Sequence, residues 1–234
     1  MYISPNVAIN GRLCCYDLPT SKSELPPLLI GLHGGSGNGL DFRVGTALAS
    51  ILGESVVMAY PTATLNSLGF TGWNAGGEFN PNVDDVSYII SLRQYFIDKG
   101  LVDPNRVYLL GHSEGAIMGY RLICEHPELF AGLYSMSGNI LVNNPDTFAG
   151  KLRETHGTSD QNIPFNGGIG TDSFYKIDWP TVADTVNSFT NVQNAGLGNL
   201  NPLVGYGHSV AEITAGLISQ GNTLQLDVQK LIFG

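Results

Sequence analysis

No apolar run in this sequence reaches membrane-spanning length, no stretch repeats itself, and no low-complexity tract interrupts it. Nor does a segment with a basic start, an apolar middle and a small-residue end open the chain. A soluble protein is therefore expected, cytoplasmic as the sequence stands and secreted if a signal peptide has been trimmed. Positive charge is scarce. The 11 Lys and Arg face 20 Asp and Glu, for a formal net charge of −9, which speaks against nucleic acid or an anionic membrane as partner. Charged residues make up only 13% of the chain while 30 positions are glycine, a composition that suits many loops and a neutral polar surface. The three cysteines, Cys14, Cys15 and Cys124, cannot all pair within one chain and show no metal-ligand spacing, so buried or half-buried thiols are expected. What remains, 234 residues of which 43% are hydrophobic, suffices for one large core, and a single domain over residues 1–234 is expected.

Strand and helix signals alternate along that length. Val7–Ile9 and Arg12–Asp17 read as a hairpin about Asn10-Gly11 and form an antiparallel edge. Leu28–Leu32 is a continuous apolar run, the mark of a fully buried strand, and it ends in the glycine-rich His33-Gly34-Gly35-Ser36-Gly37-Asn38-Gly39. The spacing then predicts a helix over 40–52 and a strand over 55–60, followed by a long loop over 62–83 whose Phe70, Trp73 and Phe79 suit a wall of a site. Further on come a helix over 86–99 capped by Asp84 or Asp85, strands over 106–110, 132–136 and 151–155, a loop over 161–178, a helix over 180–192, a short strand over 203–206 and a closing helix over 223–233. This order implies an α/β fold, with a mostly parallel sheet covered by helices on both faces and no large lid.

One stretch carries the chemistry. The strand at 106–110 runs into Gly111-His112-Ser113-Glu114-Gly115 and on into a helix over 113–124. Gly-x-Ser-x-Gly between a strand and a helix places the serine on a sharp turn at a helix N-terminus, where free amides favour negative charge. A serine needs a base and a group to orient that base. Among the five histidines, His33, His112, His126 and His156 each read as structural: two lie at strand ends, one inside the turn pointing away from Ser113, and one before Pro127. His208 lies in the glycine-flanked Gly205-Tyr206-Gly207-His208-Ser209 loop and is the candidate base. Asp160, just past a predicted strand and between Ser113 and His208 in sequence, is the candidate acid. Oxyanion donors are then expected from the amides of Glu114 and Gly35, with Ser36 as an alternative, and Trp73 and Ser36 are expected to contact substrate.

These pieces resemble the polyhydroxybutyrate-depolymerase and feruloyl-esterase branch of the α/β-hydrolases. The matching segments are Leu32–Gly39, Tyr60-Pro61, Trp73-Asn74, Asp84-Asp85-Val86, Asp103–Tyr108, His156–Asp160 through Ile163-Pro164-Phe165, and Gly205–His208. The resemblance supports the triad Ser113, Asp160 and His208 and implies ester hydrolysis with no cofactor; no metal is expected, and small esters are the expected substrates, short-chain because no long apolar insertion is present to form a lid, or aromatic in the acyl part if Trp73 lines the pocket. A thioesterase or peptidase with the same triad is the alternative, and a binding protein on a hydrolase scaffold the remoter one. Two segments depart from the family. Glu114-Gly115-Ala116 stands where Asn-Gly-Gly is common, and residues 191–201 are short and glycine-rich where the family carries more ordered structure.

Overall fold

A computed structural model describes residues 6–20, 24–67, 69–77 and 80–234. The chain opens with the hairpin β1 (Asn6–Ile9) and β2 (Arg12–Asp17), then β3 (Leu28–Leu32), α1 (Gly39–Thr46), α2 (Ala49–Leu52) and β4 (Val57–Pro61). The short pair β5 (Thr64–Leu65) and β6 (Thr71–Gly72) precedes α3 (Asp85–Asp98), β7 (Val107–His112), α4 (Glu114–Glu125) and β8 (Gly132–Met136). After β9 (Lys151–Gly157) come a second short pair, β10 (Gly168–Ile169) and β11 (Asp178–Trp179), then α5 (Val182–Asn187), α6 (Thr190–Asn194), β12 (Gly198–Leu203), α7 (Val210–Ser219) and α8 (Leu224–Phe233). Among the described residues eight strands form one sheet in the order β1-β2-β4-β3-β7-β8-β9-β12. The first two join antiparallel and the remaining six run parallel.

Strand alternation divides the core in two. Leu28, Ile30 and Leu32 point with Val107 and Leu109 toward the face covered by α3, α4 and Phe189, while Leu29, Tyr108 and Leu110 point to the face covered by α1, α2, α7 and α8. Every residue of β3, β4 and β8 is buried, as a parallel sheet covered on both sides requires. Among the described residues no helix is long and apolar enough to cross a membrane. All three cysteines are free thiols; Cys14 and Cys124 are buried and Cys15 half-buried.

Several elements differ from expectation. The helix over 40–52 breaks at Ala47, which takes a left-handed conformation at φ 48°. On one straight helix Phe42 and Leu48 would point about 120° apart, whereas the break sends Phe42, Leu48 and Leu52 into the same core. The helix over 180–192 is likewise two, because Asn144 binds the Ser188 carbonyl between them and Asp146 binds the Asn191 amide in the first turn of α6. The final strand lies at Gly198–Leu203 rather than 203–206, with Gly205 turning at φ 82° beyond it. Residues 191–201 are thus ordered, as part of α6 and most of β12. Helix α7 went unpredicted, although Ser209 and Glu212 form the capping box that starts it. Of the two candidate caps for α3, Asp84 accepts from the Ser87 amide, and Asp85 instead pairs with Arg12 beneath the Trp73 segment. Phe79 lies outside the described residues.

Candidate active site

Ser113 stands between the end of β7 and the start of α4 with φ 53° and ψ −124°, a strained conformation for a residue with a side chain. The turn closes because its glycines let backbones meet. A Cβ on Gly111 would lie 2.4 Å from the Gly115 carbonyl oxygen, and one on Gly115 only 2.2 Å from the Leu32 carbonyl oxygen on β3. The turn is pinned from the other side by the Ser113 amide, which donates to the Met136 carbonyl at 2.9 Å.

His208 reaches this serine from the loop after β12. Its Nε2 lies 2.7 Å from Ser113 Oγ and its Nδ1 2.7 Å from Asp160 Oδ2. Because an ionised carboxylate only accepts, Nδ1 carries the proton and Nε2 is left to accept from the serine hydroxyl. The ring is held by its neighbours: His112 Nε2 donates to the His208 carbonyl at 2.8 Å, and the two rings lie 5.2 Å apart. Burial, reinforced by the proximity of His208, pushes His112 down to about 4, so it is a neutral donor.

Asp160 is buried just past β9 and accepts from both sides. Its Oδ1 takes the amides of Asn162 and Ile163 at 2.8 and 2.9 Å, while Oδ2 takes His208 and lies 3.2 Å from His156 Nε2. Burial opposes its ionisation, yet the hydrogen bonds from the two histidines outweigh it and hold the carboxyl well below the usual range. His156 is in turn bonded by Glu154 Oε1 at 3.0 Å and by the Ile163 carbonyl at 2.8 Å. Burial would lower its pKa, but the bonds to Asp160 and Glu154 push it up to about 9. Glu154 closes the buried line by accepting from the Tyr120 hydroxyl at 2.9 Å.

The amides of Gly35 and Glu114, at the ends of adjacent strands, make no backbone hydrogen bond among the described residues. Ser36 differs, since its amide donates to the Thr71 carbonyl at 2.7 Å and is not free to hold an oxyanion. In front of these groups lies a cavity of about 660 Å³, bounded by the glycine-rich loop, Ser36 included, and by Phe70, Ile163, Phe174, Tyr175 and Trp179.

Residues 66–164 match the model of the prolyl oligopeptidase family. Over 144 residues the chain is 33% identical to a putative esterase, NocK, of Nocardia uniformis subsp. tsuyamanensis, a match covering 57% of this chain and 40% of that one. Against feruloyl esterase C of Emericella nidulans the identity is 27% over 209 residues, 86% of this chain and 70% of the other. Among solved structures, an acetyl xylan esterase from Aspergillus awamori superposes with a TM-score of 0.66 at 14% identity, covering 88% of this chain and 94% of that one. S-formylglutathione hydrolase from Staphylococcus aureus gives 0.65 at 14% identity, covering 99% and 98%. The chain has the α/β-hydrolase fold.

In this chain, then, Ser113, Asp160 and His208 come together, with Gly35 and Glu114 beside them and Ser36 on the cavity wall. Trp73 does not contact the cavity. It is fully buried beneath the glycine-rich loop, where its Nε1 donates to the His33 carbonyl at 2.9 Å and its ring packs 5.1 Å from that of His33. A large indole with one donor gains more from burial with a carbonyl partner than from lining an open pocket. His33 also borders the cavity, and its Nε2 accepts the Ala63 amide at 3.0 Å. The aromatic wall at Phe174 and Tyr175 was missed. Two aromatics in the long loop after the candidate acid were the available signal.

Proposed function

We propose that this α/β-hydrolase is a serine carboxylesterase acting on small carboxylic esters, short-chain or aromatic in the acyl part, through an acyl-enzyme. The observation that carries the reading is the unbroken line Ser113 Oγ, His208, Asp160, at 2.7 Å for each step. His208 Nε2 takes the hydroxyl proton as Oγ bonds to the ester carbonyl carbon, and the carbonyl oxygen gains negative charge facing the Gly35 and Glu114 amides. The tetrahedral adduct collapses by expelling the alkoxy group, which leaves with the proton held by His208. Water then repeats the sequence on the acyl-enzyme and frees the acid. Throughout, Asp160 orients His208 and stabilises its charged form. Named esterases among the relatives support ester bonds, and a cavity walled by Phe70, Phe174 and Tyr175 supports an aromatic or short apolar group.

Replacing Ser113 by Ala should lower turnover of an activated acetate ester by about four orders of magnitude or more while the fold is kept. Undiminished turnover in that variant refutes the assignment. The match of residues 66–164 to the prolyl oligopeptidase family favours one second reading, cleavage of amides by the same residues. Matched oxyester, thioester and amide substrates separate the two readings. Labelling of Ser113 by an organophosphonate would argue against a binding protein that has lost activity.

A further inference from the structure

Glu114 brings two groups to the same place: its amide at the start of α4, and a carboxyl that lies against the glycine-rich loop. The carboxyl is wedged between two glycines of other segments. A Cβ on Gly35 would sit 2.8 Å from Oε2, and one on Gly72 2.8 Å from Oε1. Only 8% of the residue is exposed, it borders the substrate cavity, and the Trp73 amide donates to the carboxyl. No cation forms an ion pair with it among the described residues.

A charge there would be ill placed. On the esterase reading, on which this inference rests, the Gly35 amide holds the oxygen that turns negative as Ser113 adds to the ester. Glu114 Oε2 lies against that same glycine. A carboxylate in so dry a site would repel the developing oxyanion and undo what the two amides supply. We propose that Glu114 serves the reaction as a neutral carboxylic acid, an uncharged wall of the oxyanion pocket, and that its ionisation shuts turnover down.

The surroundings support this. Burial pushes the Glu114 carboxyl up to about 8; the Trp73 amide opposes the shift, and the like charge of Asp85 adds to it. The charged and titratable groups on the neighbouring elements are His33 at the end of β3, Arg12 and Asp85 paired behind Trp73, His112 and His208 across the serine, and Asp41 and Asp172 on the cavity wall. Asp85 is the one among them that acts directly on Glu114. The unusual acid at this position is thereby explained as a side chain that fills the gap between Gly35 and Gly72 without carrying charge.

The test compares each enzyme with itself across pH. For wild type, kcat/KM on an activated acetate ester should fall about tenfold between about pH 7 and about pH 9, the loss expected when the protonated form of a group titrating near 8 is required. Glu114→Gln keeps the amide and the shape but cannot ionise, so its profile should stay flat over that range. An equal alkaline fall in both proteins, or none in wild type, overturns the proposal. A second measurement needs no turnover: an infrared titration of Ser113→Ala should show a protonated carboxyl band at neutral pH that is missing from Ser113→Ala/Glu114→Gln. Absence of that band in the single variant also overturns it. Failure of the esterase reading looks different, as wild type without turnover at either pH, and would take this proposal with it.

Discussion

Gly115→Ala should damage stability and turnover together, because one added methyl group meets rigid backbone on the central strand. The new Cβ would stand 2.2 Å from the Leu32 carbonyl oxygen and 2.5 Å from that of His33, where ordinary contact begins at 3.4 Å. Relief requires β3 and α4 to part by about 1.2 Å, since neither carbonyl belongs to a side chain that can swing aside. Overpacking of this kind costs about 3 kcal/mol, the upper end of the usual range, or a fall in melting temperature of about 6–12 °C for a domain of this size. The same movement separates the Gly35 amide, carried at the end of β3, from Ser113 and the Glu114 amide, carried at the start of α4. A misplacement of about 1 Å at reacting groups lowers turnover by about 100-fold, and loss of one oxyanion donor lowers it by about 100- to 1000-fold. Thermal unfolding followed by circular dichroism and kcat on an activated acetate ester measure the two effects. A variant that melts within about 2 °C of wild type and keeps kcat within about threefold would refute the packing argument.

Two further outcomes concern stability. His156 has a raised pKa, so the stability it contributes is fully present below about pH 6.5, its unfolded value, and is lost as pH rises through about 9. His156→Asn should remove that alkaline loss and cost about 1.5–3 kcal/mol at neutral pH; an unchanged dependence of melting temperature on pH would contradict the role given to the Glu154–His156–Asp160 line. Ala47 holds φ 48° between α1 and α2, so Ala47→Gly should raise stability by about 0.5–1 kcal/mol. Urea unfolding checks it, and a lower midpoint for the variant is the contrary result.

Where residues announce their surroundings through spacing alone, the sequence was readable. Leu28–Leu32 is apolar throughout because both faces of β3 are covered, and Asn10-Gly11 supplies the positive φ values of 51° and 76° that its hairpin needs. Ser113 and Asp160 are legible because each lies just past a strand of the parallel sheet, where side chains face a ligand, whereas His208, five residues beyond the end of β12, is marked by its flanking glycines and its place after Ser113 and Asp160 in the chain. The misreadings have physical causes. Apolar spacing at Val182, Val186, Phe189 and Val192 continues through a break made by distant Asn144 and Asp146, and no local pattern records that capture. Aromatics in a long loop suggest a cavity wall, as the sequence does for Trp73, whereas its indole braces the His33 carbonyl. Leu200 is the single aliphatic residue between Asn199 and Pro202, too little alternation to mark β12, which stands at the sheet margin and among the described residues pairs with β9 alone.

That marginal position of β12 makes hydrolysis a report on assembly. His208 follows the last strand to join the sheet in spatial order, and it meets Ser113 only when the loop beyond β12 has settled against β9, where Gly157 lets the Tyr206 and Gly207 carbonyls approach to within 2.3 Å of a would-be Cβ. Peeling this one strand from the margin would leave β3, β4, β7 and β8 buried and paired, and so leave most spectroscopic signals of folding intact, while the proton relay to Ser113 is cut. Loss of turnover should therefore precede loss of structure as denaturant rises, and the gap between the two midpoints measures how loosely the final strand is held.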